Sequence, residues 1–328
     1  MILVLVEVDA DGAVEVSRET ITFARGLSHA GGGVPVDAVV VGDLPCAPEK
    51  LAEQLASYGV RDVHHATGEP FSAYGGASWA SAVQSVRDAT GAVVVTAAGT
   101  PRGMEVLAHV AARAGVAMAA NVVSFDGLAP FTVRRQVVGG SVLEEMVLDE
   151  RPAVFTVAGH AVEAEPAAAP GAGRLVGATP EVAEADLVAR VVSSEPPAPD
   201  LSGDLTSAKV VVGAGRGAGS AEGFAELMEL TELLDGALGV SRVVTSLGWR
   251  PHHEQIGQTG SRISPDLYVA CGISGAIQHW AGCSSSKTIL AINTDAEAPM
   301  VAKAHYAVIG DLHEVVPAIN AEIRRRRG

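Results

Sequence analysis

Three glycine-bearing segments and one Ser-Arg pair in the second half of the chain carry hydroxyl, amide, imidazole or guanidinium groups. They are Gly213–Gly219 (GAGRGAG), the pair Ser241-Arg242, Ile256–Gly260 (IGQTG) and Gly272–His279 (GISGAIQH). The first follows the strand-like run KVVV and fits G-x-G-x-x-A through Gly213, Gly215 and Ala218. Missing β-carbons at such a turn let the backbone approach a phosphate or a flat ring, and a following helix adds N–H donors. The same glycines serve a tight turn equally well, so the fingerprint alone decides nothing. Arg216 inside it is harder to read as scaffold, because a cation on a strand-end loop is placed to meet an anion or a ring. Gly272–His279 follows the run LYVAC and is expected to open a phosphate-binding helix with Ser274 as its cap. Taken singly, Ser241-Arg242 reads as surface and His279 as a helix-surface histidine. The place of His279 at the end of a glycine-serine-glycine turn gives it a ligand-facing alternative.

The elements that must position these residues follow from hydrophobic periodicity. Strand-like runs at Ile2–Val8, Val36–Val41, Val63–His65 and Val93–Ala97 alternate with helical stretches near 17–30, 48–58, 75–89 and 103–114. That βαβ rhythm implies an α/β fold with a mostly parallel sheet. From about 121 to 165 the pattern changes to strands with turn residues, including the Gly139-Gly140 turn and PAVFTVAG, and antiparallel additions to the sheet are expected. The Pro- and acid-rich stretch Ser193–Asp204 has no periodicity and reads as a linker. The expected organisation is an N-terminal α/β domain over 1–192, a linker over 193–207 and a C-terminal domain over 208–328. In the second domain, strands are expected at Lys209–Val212, Arg242–Thr245, Leu267–Ala270, Thr288–Ile292 and Val308–Ile309, with helices near 221–236, 275–281 and 312–325. Such a doubly wound domain binds its ligand at the carboxyl ends of its strands, where the glycine-rich segments fall.

Composition sets the outer bounds. With 328 residues, 48% of them hydrophobic, the chain can bury two ordinary cores. Its apolar runs are of strand length and fall far short of the ~20 residues of a membrane span. The opening MILVLVEV has neither a basic flank nor a small-residue cleavage site, so it is expected to be a buried strand and the protein to be cytoplasmic. A net charge of −15 argues against nucleic acid, whose phosphates require clustered Lys and Arg. The acid surplus lies in the first part: residues 1–207 carry 26 Asp and Glu against 12 Lys and Arg, and residues 208–328 carry 12 against 11. A near-neutral second part suits a domain that holds an anionic cofactor. Cys46, Cys271 and Cys283 have no disulfide or metal spacing and read as free thiols. Arg324–Arg327 reads as a frayed helix end or a docking patch, and His252 and His253 as loop polarity.

KVVVGAGRG, VSRVV, IGQTG, LYVACGISGAIQH, SKTILAIN, DAEAP and IGDLHEVVP, in this order, resemble the C-terminal FAD-binding domain of electron-transfer flavoprotein α subunits from about Lys209 to Pro317. The first region resembles that family more loosely, through its βαβ order and TPRGMEVLAHVAARAG. The resemblance implies FAD as cofactor and a β subunit completing a heterodimer. It also implies a flavoprotein dehydrogenase as donor and a quinone oxidoreductase or similar acceptor, with no substrate transformed by the chain itself. It places Arg216 and Ser241 on FAD, and Arg242 over the flavin ring. Gly257, Gln258 and Thr259 lie along the flavin beside Ile256, with the threonine hydroxyl toward N5. It wraps Ser274, Gly275, Ala276, Ile277, Gln278 and His279 around the flavin and its pyrophosphate, with His279 facing the C2 carbonyl as a donor that acts most strongly if protonated. Asn293, Asp311 and Leu312 fall at the adenosine end.

The chain departs from the family pattern at Ser261, at Asn293-Thr294-Asp295-Ala296, at Ala304-His305-Tyr306-Ala307 and in the stretch Thr245–Gln255. No implied FAD position is lost, so these changes bear on partner identity and redox tuning. Two other classes fit parts of the pattern. A nicotinamide-dependent dehydrogenase would require an acid at the end of the second strand, where the chain reads VSRVVTS. A non-catalytic nucleotide-binding module would require only the fold.

Overall fold

Runs of four to six apolar residues, short enough for strands and separated by amphipathic helices, are wound into parallel sheets in both halves of the chain. The computed structural model describes residues 1–138, 142–189, 191, 205 and 208–327. These fall into two compact units, one within residues 1–195 and the other largely within 196–328. The expected Gly139-Gly140 turn and, apart from Leu205, the expected linker lie outside the described residues.

The first unit begins β1 (Ile2–Leu5), a short hairpin β2 (Val8–Asp9) and β3 (Gly12–Ala13), α1 (Glu15–Ala30), β4 (Val36–Val41), α2 (Pro48–Ser57) and β5 (Asp62–Ala66). It continues through α3 (Gly76–Thr90), β6 (Val94–Ala98), α4 (Pro101–Ala114), β7 (Met118–Leu128), β8 (Phe131–Val137), β9 (Val142–Val147), β10 (Ala153–Val157) and β11 (Arg174–Ala178). The large sheet has the order β11-β5-β4-β1-β6-β10-β7-β8-β9. Alternate side chains of β1 and β4 enter opposite cores: Ile2, Val4, Ala38 and Val40 meet α1 and α2, while Leu3, Leu5, Val39 and Val41 meet α3 and α4. Both faces are therefore covered, as a parallel sheet requires.

One expectation is corrected here. The strand within PAVFTVAG is not antiparallel: β10 runs parallel to both β6 and β7. Its five residues are all buried, which marks a central strand covered on both faces. The antiparallel additions are limited to β7, β8 and β9. Edge strand β11, parallel to β5, falls outside the expected elements: RLVGA is only five residues long and four of them are exposed.

The second unit contains β12 (Val210–Ala214), α5 (Ala225–Leu233), β13 (Ala237–Val240), α6 (Arg242–Ser246), β14 (Leu267–Cys271) and α7 (Ile277–Cys283). After these come β15 (Thr288–Asn293), α8 (Pro299–Lys303), β16 (Tyr306–Ile309) and α9 (Leu312–Arg327). All pairings are parallel, in the order β13-β12-β14-β15-β16. The strand expected at Arg242–Thr245 is helix α6 instead, and the strand precedes it at Ala237–Val240. The segment ALGV hid its nature because Gly239 weakens the strand signal. Packing requires that glycine, since a β-carbon there would lie 2.3 Å from Ile256 Cδ1.

Of the terminal arginines, Arg324 pairs with Glu229, and Arg325 and Arg326 both pair with Glu322, whose carboxyl they hold down at about 2. The three cysteines are free thiols, and burial pushes Cys271 and Cys283 up to about 12. No described helix is long and apolar enough to cross a membrane.

Candidate functional site

The strand order of the second unit reverses direction between β12 and β14, a switch point of the kind at which a doubly wound sheet binds its ligand at the carboxyl ends of the strands. A cleft of about 540 Å³ lies there, lined from every strand end of the sheet. Arg216 follows β12, Ser241 follows β13, Ser274 follows β14, Asn293 ends β15, and Asp311 and Leu312 follow β16.

The glycine-rich turn is built differently from its sequence reading. It forms a single 3₁₀ turn at Arg216–Ala218, and α5 begins only at Ala225. A β-carbon on Gly213 would meet the Tyr268 hydroxyl at 2.3 Å, and one on Gly215 would meet the Gly272 carbonyl oxygen at 2.2 Å. These two glycines thus serve protein packing: they let the β12 and β14 loops touch, with Gly215 N–H donating to Cys271 O at 2.9 Å. Gly217 and the exposed Arg216 are left facing the cleft.

Ser241 is the N-cap of α6 but its hydroxyl makes no capping bond. The Oγ atom is buried and has no hydrogen-bond partner, although the residue lines the cleft. Burying an unpaired hydroxyl costs ~1–3 kcal/mol, which a ligand acceptor would offset. Ser274 is not the expected helix cap: the cap position is Ala276, it has no side-chain bond, and α7 is only seven residues long. Exposed Ser274 instead lines the cleft. Asn293 donates from Nδ2 to Ile273 O at 3.0 Å and accepts at Oδ1 from Asp295 N–H at 3.1 Å, so its amide ties loops together. Asp311 accepts from His313 N–H at 2.9 Å.

The remaining residues of the sequence reading form a shelf joined to the cleft through the consecutive pairs Ser241-Arg242 and Ser274-Gly275. Exposed Arg242 donates from Nη1 to Thr259 Oγ1 at 3.2 Å. Gln258 N–H donates to Gln278 O at 2.8 Å, which fastens the IGQTG loop to the start of α7. Ala276, Ile277 and Gln278 are exposed, Ile277 at 75%, a large apolar side chain left open beside charged and polar groups. Ile256 is turned the other way, 1% exposed in the core.

His279 is also turned inward. Its Nε2 lies 2.8 Å from the hydroxyl of buried Tyr268, and its Nδ1 is buried without a partner. Burial pulls the imidazole down to about 4, with the nearby Ile256 carbonyl working weakly the other way. Burial of the ring thus favours its neutral form in the chain by itself.

Two groups were not singled out in the sequence. Gln255, 2% exposed, donates from Nε2 to Thr259 Oγ1 at 3.0 Å and accepts at Oε1 from Thr245 Oγ1 at 2.8 Å. Glu254, fully buried, pairs with Arg250 and anchors the same segment. His252 and His253 stand exposed beside it. Nothing in composition or period separates Gln255 from an ordinary loop amide.

These features, a doubly wound domain with an open switch-point cleft and a polar shelf beside it, define a protein of the nucleotide-cofactor-binding class. Residues 204–284 match the family described as the electron transfer flavoprotein FAD-binding domain, and residues 2–188 match the electron transfer flavoprotein domain. Curated proteins named electron transfer flavoprotein subunit alpha are similar over almost the whole chain. The Mycobacterium leprae protein is 38% identical over 327 residues, covering 99% of each chain. That of Mycobacterium tuberculosis H37Rv is 39% identical over 330 residues, covering 100% of this chain and 99% of its own. The Bacillus subtilis 168 protein is 32% identical over 328 residues, covering 99% and 97%. The chain belongs to the electron transfer flavoprotein alpha-subunit family, whose cofactor is FAD.

Proposed function

We propose that the chain is the FAD-holding subunit of a heterodimeric electron carrier, completed by a β subunit. It takes electrons from flavoprotein dehydrogenases and passes them to a downstream acceptor such as a quinone oxidoreductase. Residues 208–328 hold the cofactor and residues 1–192 contact the β subunit, joined by 193–207. Bound FAD supplies one-electron chemistry, and the chain turns over no substrate of its own. The observation that carries this reading is the cleft at the strand ends, lined by exposed Arg216 and by Ser241, whose buried hydroxyl has no partner.

In this reading Arg216, Ser241 and Ser274 bind the phosphates and ribitol, and Asn293, Asp311 and Leu312 shape the adenosine end. Arg242, Gly257, Gln258, Thr259 and Gly275 to His279 form the flavin shelf, with Ile256 contributing its backbone only. A permanent cation at Arg242 favours added negative charge on a ring beside it. A nicotinamide-dependent dehydrogenase gains no support, because β13 ends in Val240 and is followed by Ser241-Arg242, with no carboxylate for a ribose.

The heterodimer, purified after co-expression, is expected to be yellow, with stoichiometric FAD that survives gel filtration. A colourless heterodimer that instead binds a nicotinamide nucleotide would refute the reading.

A further inference from the structure

The Thr259 hydroxyl has one hydrogen to give and two lone pairs to fill. Arg242 Nη1 and Gln255 Nε2 donate to it at 3.2 and 3.0 Å. With both lone pairs taken, the hydroxyl hydrogen is the one valence left, and Thr259 is an exposed residue. The donor chain behind it runs in one direction: Thr245 to Gln255 Oε1 at 2.8 Å, then Gln255 Nε2 to Thr259.

The same atoms also permit the reverse direction. The Thr245 hydroxyl lies 2.9 Å from the Arg242 carbonyl oxygen, a second acceptor. An amide's O and N have nearly the same shape, so Gln255 can turn over without new volume. Thr259 then donates inward to Oε1, Nε2 donates to Thr245, and Thr245 donates to the Arg242 carbonyl. In the second direction each of these three donors has a protein acceptor, and in the first only the Thr259 hydrogen is left over, facing outward. In the first the exposed face of Thr259 is a donor, and in the second it is an acceptor.

We propose that Gln255 is a positioning residue whose amide sets the direction of the Thr259 hydroxyl, so that one side chain serves a ligand atom that changes from acceptor to donor. The isoalloxazine ring contains such an atom: N5 bears a lone pair when oxidised and an N–H when fully reduced. This rests on the reading that Thr259 faces bound FAD. The flanking residues Thr245 and Gln255 thereby acquire a role that no glycine-rich signature marks.

The test uses the heterodimer loaded with FAD enriched in 15N at N5, whose oxidised resonance moves upfield when N5 accepts a hydrogen bond. Gln255→Glu keeps the side-chain shape but, ionised, only accepts, so Thr259 always donates inward. The oxidised N5 resonance is expected to lose its hydrogen-bonded shift in Gln255→Glu as fully as in Thr259→Val. Adding Gln255→Glu to Thr259→Val is expected to change nothing more. Gln255→Met serves if the Glu variant does not assemble: it gives a partial loss that again vanishes in the Thr259→Val background. A wild-type N5 shift in Gln255→Glu, or an undiminished Gln255 effect on top of Thr259→Val, overturns the proposal. An unaltered shift in Thr259→Val itself overturns instead the reading that Thr259 faces the flavin.

Discussion

The two units share a parallel, doubly wound plan and treat the carboxyl edge of the sheet in opposite ways. In the first unit that edge is tied by its own side chains. Thr100 caps α4 through Gly103 N–H at 2.8 Å and donates to Glu7, His65 bonds the Gly42 carbonyl at 2.8 Å, and His160 closes on buried Glu19. In the second unit the edge is open over about 540 Å³, with an exposed cation and a buried hydroxyl that lacks a partner. Fold alone therefore does not make a cofactor site. What differs is whether the groups at the strand ends have been satisfied internally or left for a ligand.

The largest expected effect follows from forcing the open edge to close differently. Gly215→Val sets branched carbon against the Gly272 carbonyl, which already lies 2.2 Å from a single added β-carbon. Separating the β12 and β14 loops costs on the order of 1–3 kcal/mol or more and distorts the cleft. The heterodimer is expected to lose its bound FAD on dialysis, checked by absorbance per protein, while residues 1–195 keep their fold. Full FAD retention in Gly215→Val would remove the loop contact from the account.

The next effects are of opposite sign in the two units. His279 is depressed to about 4 from an ordinary 6.5 by burial. The unfolded chain binds its proton more readily, so this stability contribution is present above pH 6.5 and is lost as pH falls toward 4. At one pH unit per ~1.4 kcal/mol the full loss is roughly 3 kcal/mol. His160 is raised, chiefly by its hydrogen bond to Glu19. Its smaller contribution is complete below pH 6.5 and is lost as pH rises through the raised folded value. Thermal unfolding against pH is expected to flatten on the acid side in His279→Gln and on the neutral side in His160→Gln. Equal flattening on one side by both variants would break the comparison.

Much of this architecture was legible beforehand. Val36–Val41 matches its strand to the residue, because five β-favouring or small apolar residues interrupted only by Asp37 admit little else. Arg216 and Ser274, read from the residues themselves, and Ser241, Asn293, Asp311 and Leu312, implied by the family resemblance, line one cleft. What failed did so for local physical reasons. ALGV concealed a strand behind a glycine needed for Ile256, and GISG promised a capped helix that starts later, at Ile277. The inward turn of His279 and the buried amide of Gln255 depend on Tyr268, Thr245 and Thr259, partners brought close only by folding. A single sequence carries no periodic trace of such pairs.

The smallest effect is the most direct test, because its sign differs between free and loaded protein. Ser241→Ala removes a buried hydroxyl that has no partner, so unfolding of the FAD-free protein is expected to be unchanged or shifted slightly upward. The same change removes a bond to the cofactor, so FAD affinity is expected to fall by about 1 kcal/mol, roughly fivefold. Thr100→Val at the closed edge is expected to do the reverse, costing ~1 kcal/mol of stability through the lost cap while leaving FAD affinity untouched. Titration of FAD into both variants, with their thermal unfolding, measures this directly. Unaltered FAD affinity in Ser241→Ala, or weakened affinity in Thr100→Val, would contradict the assignment of the cofactor to the open edge of the second unit.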